Sequence, residues 1–160
     1  MKESVYIETT IVSYLVARPS WDLLLAAHQE VTREWWQNMR ASYECFTSEE
    51  TIREAGFGDV EMIEARMEKL RELIVVGINA EIEALASRFL STGALPSTML
   101  PDATHLAAAT LAQADYLLTW NCKHLANAHV LKRLRQEAEK QGWVLPEVCT
   151  PLELMERSNP

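Results

Sequence analysis

The sequence predicts a helix-rich, three-layer α/β domain around a central parallel sheet of about four or five strands. Three observations lead there. Short β-branched or aromatic runs alternate with longer stretches of helical periodicity. The first run, Val5-Tyr6-Ile7, is apolar on both sides, as expected of a strand covered on both faces. A chain of 160 residues that is 48% hydrophobic and 24% charged suits one soluble domain with its own core. That domain is assigned to residues 1–156, and residues 157–160 are expected to fray.

Taken in order, the first strand ends at Glu8, where a hydroxyl from Thr9 or Thr10 can cap a helix starting near Ile11. Arg18-Pro19-Ser20 breaks that helix. Residues 21–40 form a long second one, with Leu24, Ala27, Val31 and Trp35 at inward spacing. Cys45-Phe46-Thr47 is the second strand, and Ser48 caps the helix carrying Glu54, which Gly56-Phe57-Gly58 ends. A helix over 59–70 is expected to face inward through Met62, Ala65, Met67 and Leu70. It leads to a third strand at 73–76 and a helix from Asn79 or Ala80 to Leu90.

The stretch from Pro101 to Asn127 is the most informative. Pro101 suits a first helical turn, because its missing N–H would have no partner there, and Asp102 then lies favourably at the positive end of the dipole. Ala103, Leu106, Ala107, Thr110 and Leu111 make a narrow apolar face able to pack closely on a sheet. Tyr116-Leu117-Leu118 is a buried strand that emerges at Thr119, Trp120 and Asn121. A basic helix over 126–141, a strand over 147–150 and a short helix from Pro151 complete the chain. Open parallel sheets bind ligands beyond the carboxyl ends of their strands, so Asp102 and Asn121 are expected in one site.

The net charge of −8 argues against nucleic-acid binding by the surface as a whole, though not against a local basic patch or an acidic cluster that holds a metal. The five glycines form neither a G-x-G-x-x-G nor a Walker loop, which excludes the common nucleotide cradles. Cys45, Cys122 and Cys149 form no C-x-x-C pair, so reduced, inert core thiols in a cytoplasmic protein are expected. Neither a secretory leader nor a spanning helix is expected, and hence no membrane partner.

Glu8, Glu54 and Asp102 fall at strand ends or on helices nearby, joined by the amide of Asn121. Such hard oxygen donors suit Mg²⁺ or Mn²⁺. Each has a plainer reading: Glu54 as a helix-surface acid, Asp102 as a dipole partner. Glu8 is the odd one, because a carboxylate directly after an apolar strand needs a partner. Thr119 and Thr9 either orient a ligand or serve as strand-end hydroxyls. His105, three residues after Asp102 on the same helix face, either touches substrate, shuttles a proton or is a satisfied core histidine. His124, Lys123, Lys132 and Arg133 contact phosphates or form a solvated face.

Four stretches together resemble the motifs of PIN domains, the nuclease fold of VapC-type toxins. Val5-Tyr6-Ile7-Glu8-Thr9-Thr10-Ile11-Val12-Ser13-Tyr14-Leu15 is similar to the first. Ser48 with Glu54 is similar to the second, and Pro101-Asp102-Ala103-Thr104-His105-Leu106-Ala107-Ala108-Ala109 to the third. Ala114-Asp115-Tyr116-Leu117-Leu118-Thr119-Trp120-Asn121 resembles the fourth. The resemblance implies a PIN-like parallel sheet flanked by helices and Mg²⁺- or Mn²⁺-dependent ribonuclease activity. It also implies an antitoxin partner and a homodimer. Residue by residue, it makes Glu8, Glu54, Asp102 and Asn121 the metal-binding positions, with Thr119 beside them. Trp21, Trp35 and Trp36 then belong to the core or to a dimer or antitoxin groove.

The chain departs from the pattern twice. Glu8 stands where the family usually has Asp, and Asn121 where it usually has a fourth acid. A unit charge about 4 Å from a cation is worth on the order of 1–4 kcal/mol, so the resemblance implies a weaker metal site here. The leading expectation is an endoribonuclease. A catalytically silent PIN-like binding module is the alternative, and an α/β phosphatase of small molecules using Asp102 or Glu8 as nucleophile is a third class.

Overall fold

The computed structural model describes residues 1–155, and the frayed tail expected at 157–160 lies outside them. Five strands form one parallel sheet: β1 (Ser4–Ile7), β2 (Glu44–Ser48), β3 (Ile74–Val76), β4 (Tyr116–Leu118) and β5 (Glu147–Cys149). Their order is β3-β2-β1-β4-β5, so the doubly apolar run does lie at the centre. The register pairs Tyr6 with Phe46 on one side and with Leu117 on the other.

Side-chain alternation along β1 divides the core into two. Val5 and Ile7 point to a layer built from α1 (Thr9–Val16), α2 (Leu23–Asn38), α3 (Glu49–Ala55) and α4 (Val60–Leu70). Tyr6 points the other way, to α5 (Ala80–Ser91), α6 (Leu100–Leu111) and α7 (Ala128–Lys140). The three-layer α/β/α class is as expected. α6 is the most enclosed helix: every residue from Ala103 to Thr110 is buried. Its alanines allow close packing, and truncating its one fully buried leucine, Leu106→Ala, removes about 2–5 kcal/mol of packing.

Several local expectations change. The cap of α1 is not a hydroxyl but Glu8, whose side chain accepts from the Thr10 amide, because Thr9 and Thr10 are already helical. In α4 only Leu70 is fully buried. In α2 the inward residues are Gln29, Thr32, Trp35 and Trp36, while Leu24 is 68% exposed. Spacing alone favoured the apolar positions, but the polar ones have distant partners. Trp120 Nε1 donates to Thr32 Oγ1 at 2.7 Å, and Gln29 bonds the Arg18 carbonyl and the Ser20 amide. Trp21 is fully exposed rather than in the core, and Cys122 is exposed as well. α7 starts two residues late because Asn127 caps it, accepting from the His129 and Val130 amides. Pro151–Leu154 forms a hydrogen-bonded turn instead of a helix. Among the described residues no helix is long and apolar enough to cross a membrane.

Candidate metal centre

Strand order reverses between β1 and β4, since the chain proceeds from β1 to β2 and β3 on one side and to β4 and β5 on the other. The crevice beyond the carboxyl ends of those two strands is where such a sheet presents a ligand site. Ile7 and Leu118 are paired, so Glu8 and Thr119 emerge side by side.

Glu8 is 4% exposed, and one of its oxygens is heavily anchored. Oε2 accepts from the Thr10 amide at 3.1 Å, the Thr10 hydroxyl at 2.5 Å and the Thr119 hydroxyl at 2.6 Å. Each threonine in turn accepts a backbone N–H from the turn after β4. Trp120 donates to Thr10 at 2.9 Å and Asn121 to Thr119 at 3.0 Å. These two hydroxyls therefore bolt the start of α1 to the end of β4. Burial raises the Glu8 pKa, and the charge of His105 and the threonine hydrogen bonds only partly oppose this.

Glu54, on the last turn of α3, is held differently. Its Oε1 accepts from the Thr9 hydroxyl at 2.6 Å and pairs with Nε2 of the fully buried His105. Burial would raise its pKa, but the hydrogen bond and charge of His105 outweigh it, so the carboxyl lies below its ordinary value. On His105 burial opposes a charge, yet Tyr6 and the Glu54 and Glu8 carboxylates prevail and push it well above the usual histidine range.

Asp102, in the first turn of α6, is half-buried, and its Oδ1 accepts from Asn121 Nδ2 at 3.2 Å. Burial raises its pKa, partly countered by His105, His124 and Asn121. Asn121 turns its own oxygen away, accepting from the His124 amide at 3.0 Å. It thus presents a donor to Asp102, where the sequence suggested a fourth oxygen ligand. Arg133 is occupied by the Thr92 carbonyl, and Lys132 is exposed.

The three carboxylates share one arrangement. Each has an oxygen anchored by protein donors and a second one, Oε1 of Glu8, Oε2 of Glu54 and Oδ2 of Asp102, that takes no hydrogen bond from the described residues. Ligand atoms of Glu8, Glu54 and His105 lie within 4.8 Å of one another, a group compatible with a metal ion. Asp102 is not one of that group; it is tied to Asn121 past the end of β4, and the charges of His105 and Glu54 reach it. The donor chemistry fits a hard divalent cation.

One chain in the crystal structure of VapBC2 from Rickettsia felis bound to a DNA fragment from their promoter is similar to this one. The TM-score is 0.59 and the identity 13%, over 92% of this chain and 98% of that one. A chain of a toxin–antitoxin complex from Klebsiella pneumoniae matches with TM-score 0.53 and 22% identity, over 74% of this chain and 88% of that one. The fold is that of a VapC-like PIN domain. No protein-family model and no curated protein matches the sequence. At these identities the likeness is one of fold, and the chemistry of this chain rests on its own residues.

Of the five residues the sequence points to, Glu8 and Glu54 come together, Thr119 bonds Glu8, and Asp102 and Asn121 bond each other. The pairing of His105 with Glu54 and the part played by Tyr6 emerge only from the fold. The available signal was a tyrosine inside an otherwise aliphatic central strand, since a buried phenol needs a partner.

Proposed function

We propose that this PIN domain is a metal-dependent endoribonuclease of the toxin–antitoxin type. The observation that supports the reading is the convergence of Glu8 and Glu54 with His105 at the strand-order reversal, with Asp102 held by Asn121 just past β4 and each carboxylate having one anchored and one open oxygen. Glu8, Glu54 and Asp102 would hold Mg²⁺ or Mn²⁺. When bound, the ion supplies an activated water and positive charge opposite a phosphate. Thr10 and Thr119 lock the rotamer of Glu8, and Thr9 does the same for Glu54. Asn121 steadies Asp102, and its amide leaves the site one negative charge short of a four-acid cluster. The overall reaction is hydrolysis of an RNA phosphodiester: a water oxygen bonds to phosphorus as the bond to the leaving ribose oxygen breaks.

The reading extends to partners. One of the solved structures is described as a toxin–antitoxin complex and the other as VapBC2 on promoter DNA, and the start of α2 leaves Trp21, Leu23 and Leu24 exposed, as a protein-binding surface would. An antitoxin protein is the proposed occupant, with a homodimer and a cytoplasmic location as the family resemblance implies.

Purified protein with Mn²⁺ should cleave single-stranded or structured RNA, and Asp102→Asn should lower the rate by at least about 100-fold, the loss of a group that binds the catalytic metal. Equal residual cleavage by both proteins would show that the site is misassigned. A second reading, a binding module without nuclease activity, is favoured by the orientation of Asn121, whose oxygen is spent on His124. Calorimetry separates the two: absence of Mg²⁺ or Mn²⁺ binding at millimolar concentration would favour the module.

A further inference from the structure

Tyr6 and His105 lie beneath the crevice, both fully buried. The Tyr6 hydroxyl is 2.7 Å from Nδ1 of His105 and 2.7 Å from Oγ of Ser48. Ser48 is the N-cap of α3, accepting from the Glu50 amide at 3.3 Å. Glu54, at the other end of the same helix, meets His105 Nε2. A helix of seven residues, about 10 Å long, is therefore gripped at both ends by one buried pair.

Proton positions along this chain follow from the acceptors. An ionised carboxylate only accepts, so Nε2 carries a hydrogen directed at Glu54 Oε1. Nδ1 either accepts from Tyr6 or donates to it, and Tyr6 correspondingly accepts from or donates to Ser48. Both arrangements leave Nε2–H on Glu54, whatever the charge of the ring. A nitrogen whose hydrogen is committed this way offers no lone pair to a cation.

We propose that Tyr6 and His105 are positioning residues that set the depth and rotation of Glu54, so that Oε2 alone is presented to the metal, and that His105 is not itself a ligand. This rests on the reading of Glu54 as a metal-binding residue. Partners that orient ligands from behind in this way are worth roughly 10–100-fold in metal affinity. The role differs from that of a histidine that merely fills the core, because it predicts energetic coupling between Tyr6 and Glu54.

The test is a double-mutant cycle on Mn²⁺ affinity, measured by calorimetry on Tyr6→Phe, Glu54→Gln and the double variant, each checked for cooperative unfolding. Tyr6→Phe keeps the ring and removes only the hydroxyl. It should weaken Mn²⁺ binding roughly 10-fold, and should weaken it no further once Glu54 is Gln. His105→Gln, which retains an N–H donor, should bind Mn²⁺ more tightly than His105→Leu. In the Mn²⁺-loaded wild type, electron-spin-echo spectra should lack coupling to a coordinated ring nitrogen. Wild-type affinity in Tyr6→Phe, alongside a loss in Glu54→Gln, would overturn the positioning role alone. A coordinated nitrogen would overturn it too. Unchanged affinity in Glu54→Gln would remove the metal-site reading, and the positioning role with it.

Discussion

Glu8 and Glu54 face the same crevice, yet the protein holds their charges by opposite means. Glu8 takes its hydrogen bonds from neutral donors, two hydroxyls and an amide, and with the charge of His105 not bonded to it, burial still dominates. Glu54 has a charged neighbour, His105, that more than offsets its burial. Neutral donors fix a rotamer but leave much of the desolvation cost standing. A counter-charge removes the cost and binds the two residues to each other. The first carboxylate is therefore stored at an energetic loss that a cation would relieve, while the second is already compensated.

The sharpest way to break this comparison is one substitution made at both positions. Breaking a buried ion pair by removing one partner costs about 3–5 kcal/mol. Glu54 keeps 27% of its side-chain surface, so Glu54→Gln should destabilise the metal-free protein by about 2 kcal/mol. Glu8→Gln should do the reverse, raising stability on the order of 1 kcal/mol while lowering Mn²⁺ affinity, as expected where a site trades stability for function. Urea unfolding of the metal-free proteins measures both, and equal signs would show that the two environments are not opposed.

Asn121→Asp sharpens the same point from the other side. It sets a carboxylate against Asp102 at the present 3.2 Å contact, so the metal-free protein should lose on the order of 1 kcal/mol. Mn²⁺ affinity should rise, and any cleavage with it. Calorimetry that finds weaker Mn²⁺ binding in this variant would mean that Asn121 does not face the ion.

The pH profile separates the two carboxylates again. The folded pKa of Glu54 lies below its ordinary 4.5, so its stabilisation is present above pH 4.5 and is lost as pH falls through the folded value. That of Glu8 lies above 4.5, so its penalty grows as pH rises from 4.5 through the folded value. Asp102 acts in the same direction as Glu8 from its own ordinary value of 3.8. The stability advantage of Glu8→Gln should thus shrink as pH is lowered from 7 toward 4.5, as unfolding free energies at several pH values would show.

The smallest effect lies at the alkaline end. Burial pushes the Cys45 thiol up to about 11 and Cys149 to about 12, from an ordinary 9.0. The folded state resists forming these thiolates, so stability should fall as pH rises above 9. Cys45→Ala should flatten the part of that fall between pH 9 and about 11, and a superimposable curve would deny the thiol its share.

Much of this site was legible because it is written locally. A carboxylate directly after a doubly apolar strand, a serine before a helix, and a proline followed by aspartate at a helix start each declare their place within a few residues. What escaped is written across the sheet. His105 meets Tyr6 from 99 positions away and Glu54 from 51. No periodicity reports such a meeting, because it depends on which strands become neighbours. α2 shows the same limit from the other direction. Leu24 fits an apolar stripe perfectly well, yet the helix turns Thr32 inward because Trp120, 88 positions later, supplies an N–H for it.

The sheet ends, finally, in two strands of three residues each, β3 and β5. Ile74 in β3 is 73% exposed, and its apolar side chain sits beside a row of outward-facing backbone groups that pair with no described strand. A long edge of that composition would invite another chain to add itself and would seed aggregation. Three residues span only about 10 Å, too short a template for a stable added strand. Brevity thus guards both borders of the sheet against added strands, and at β5 the exposed Glu147 adds a charge to it.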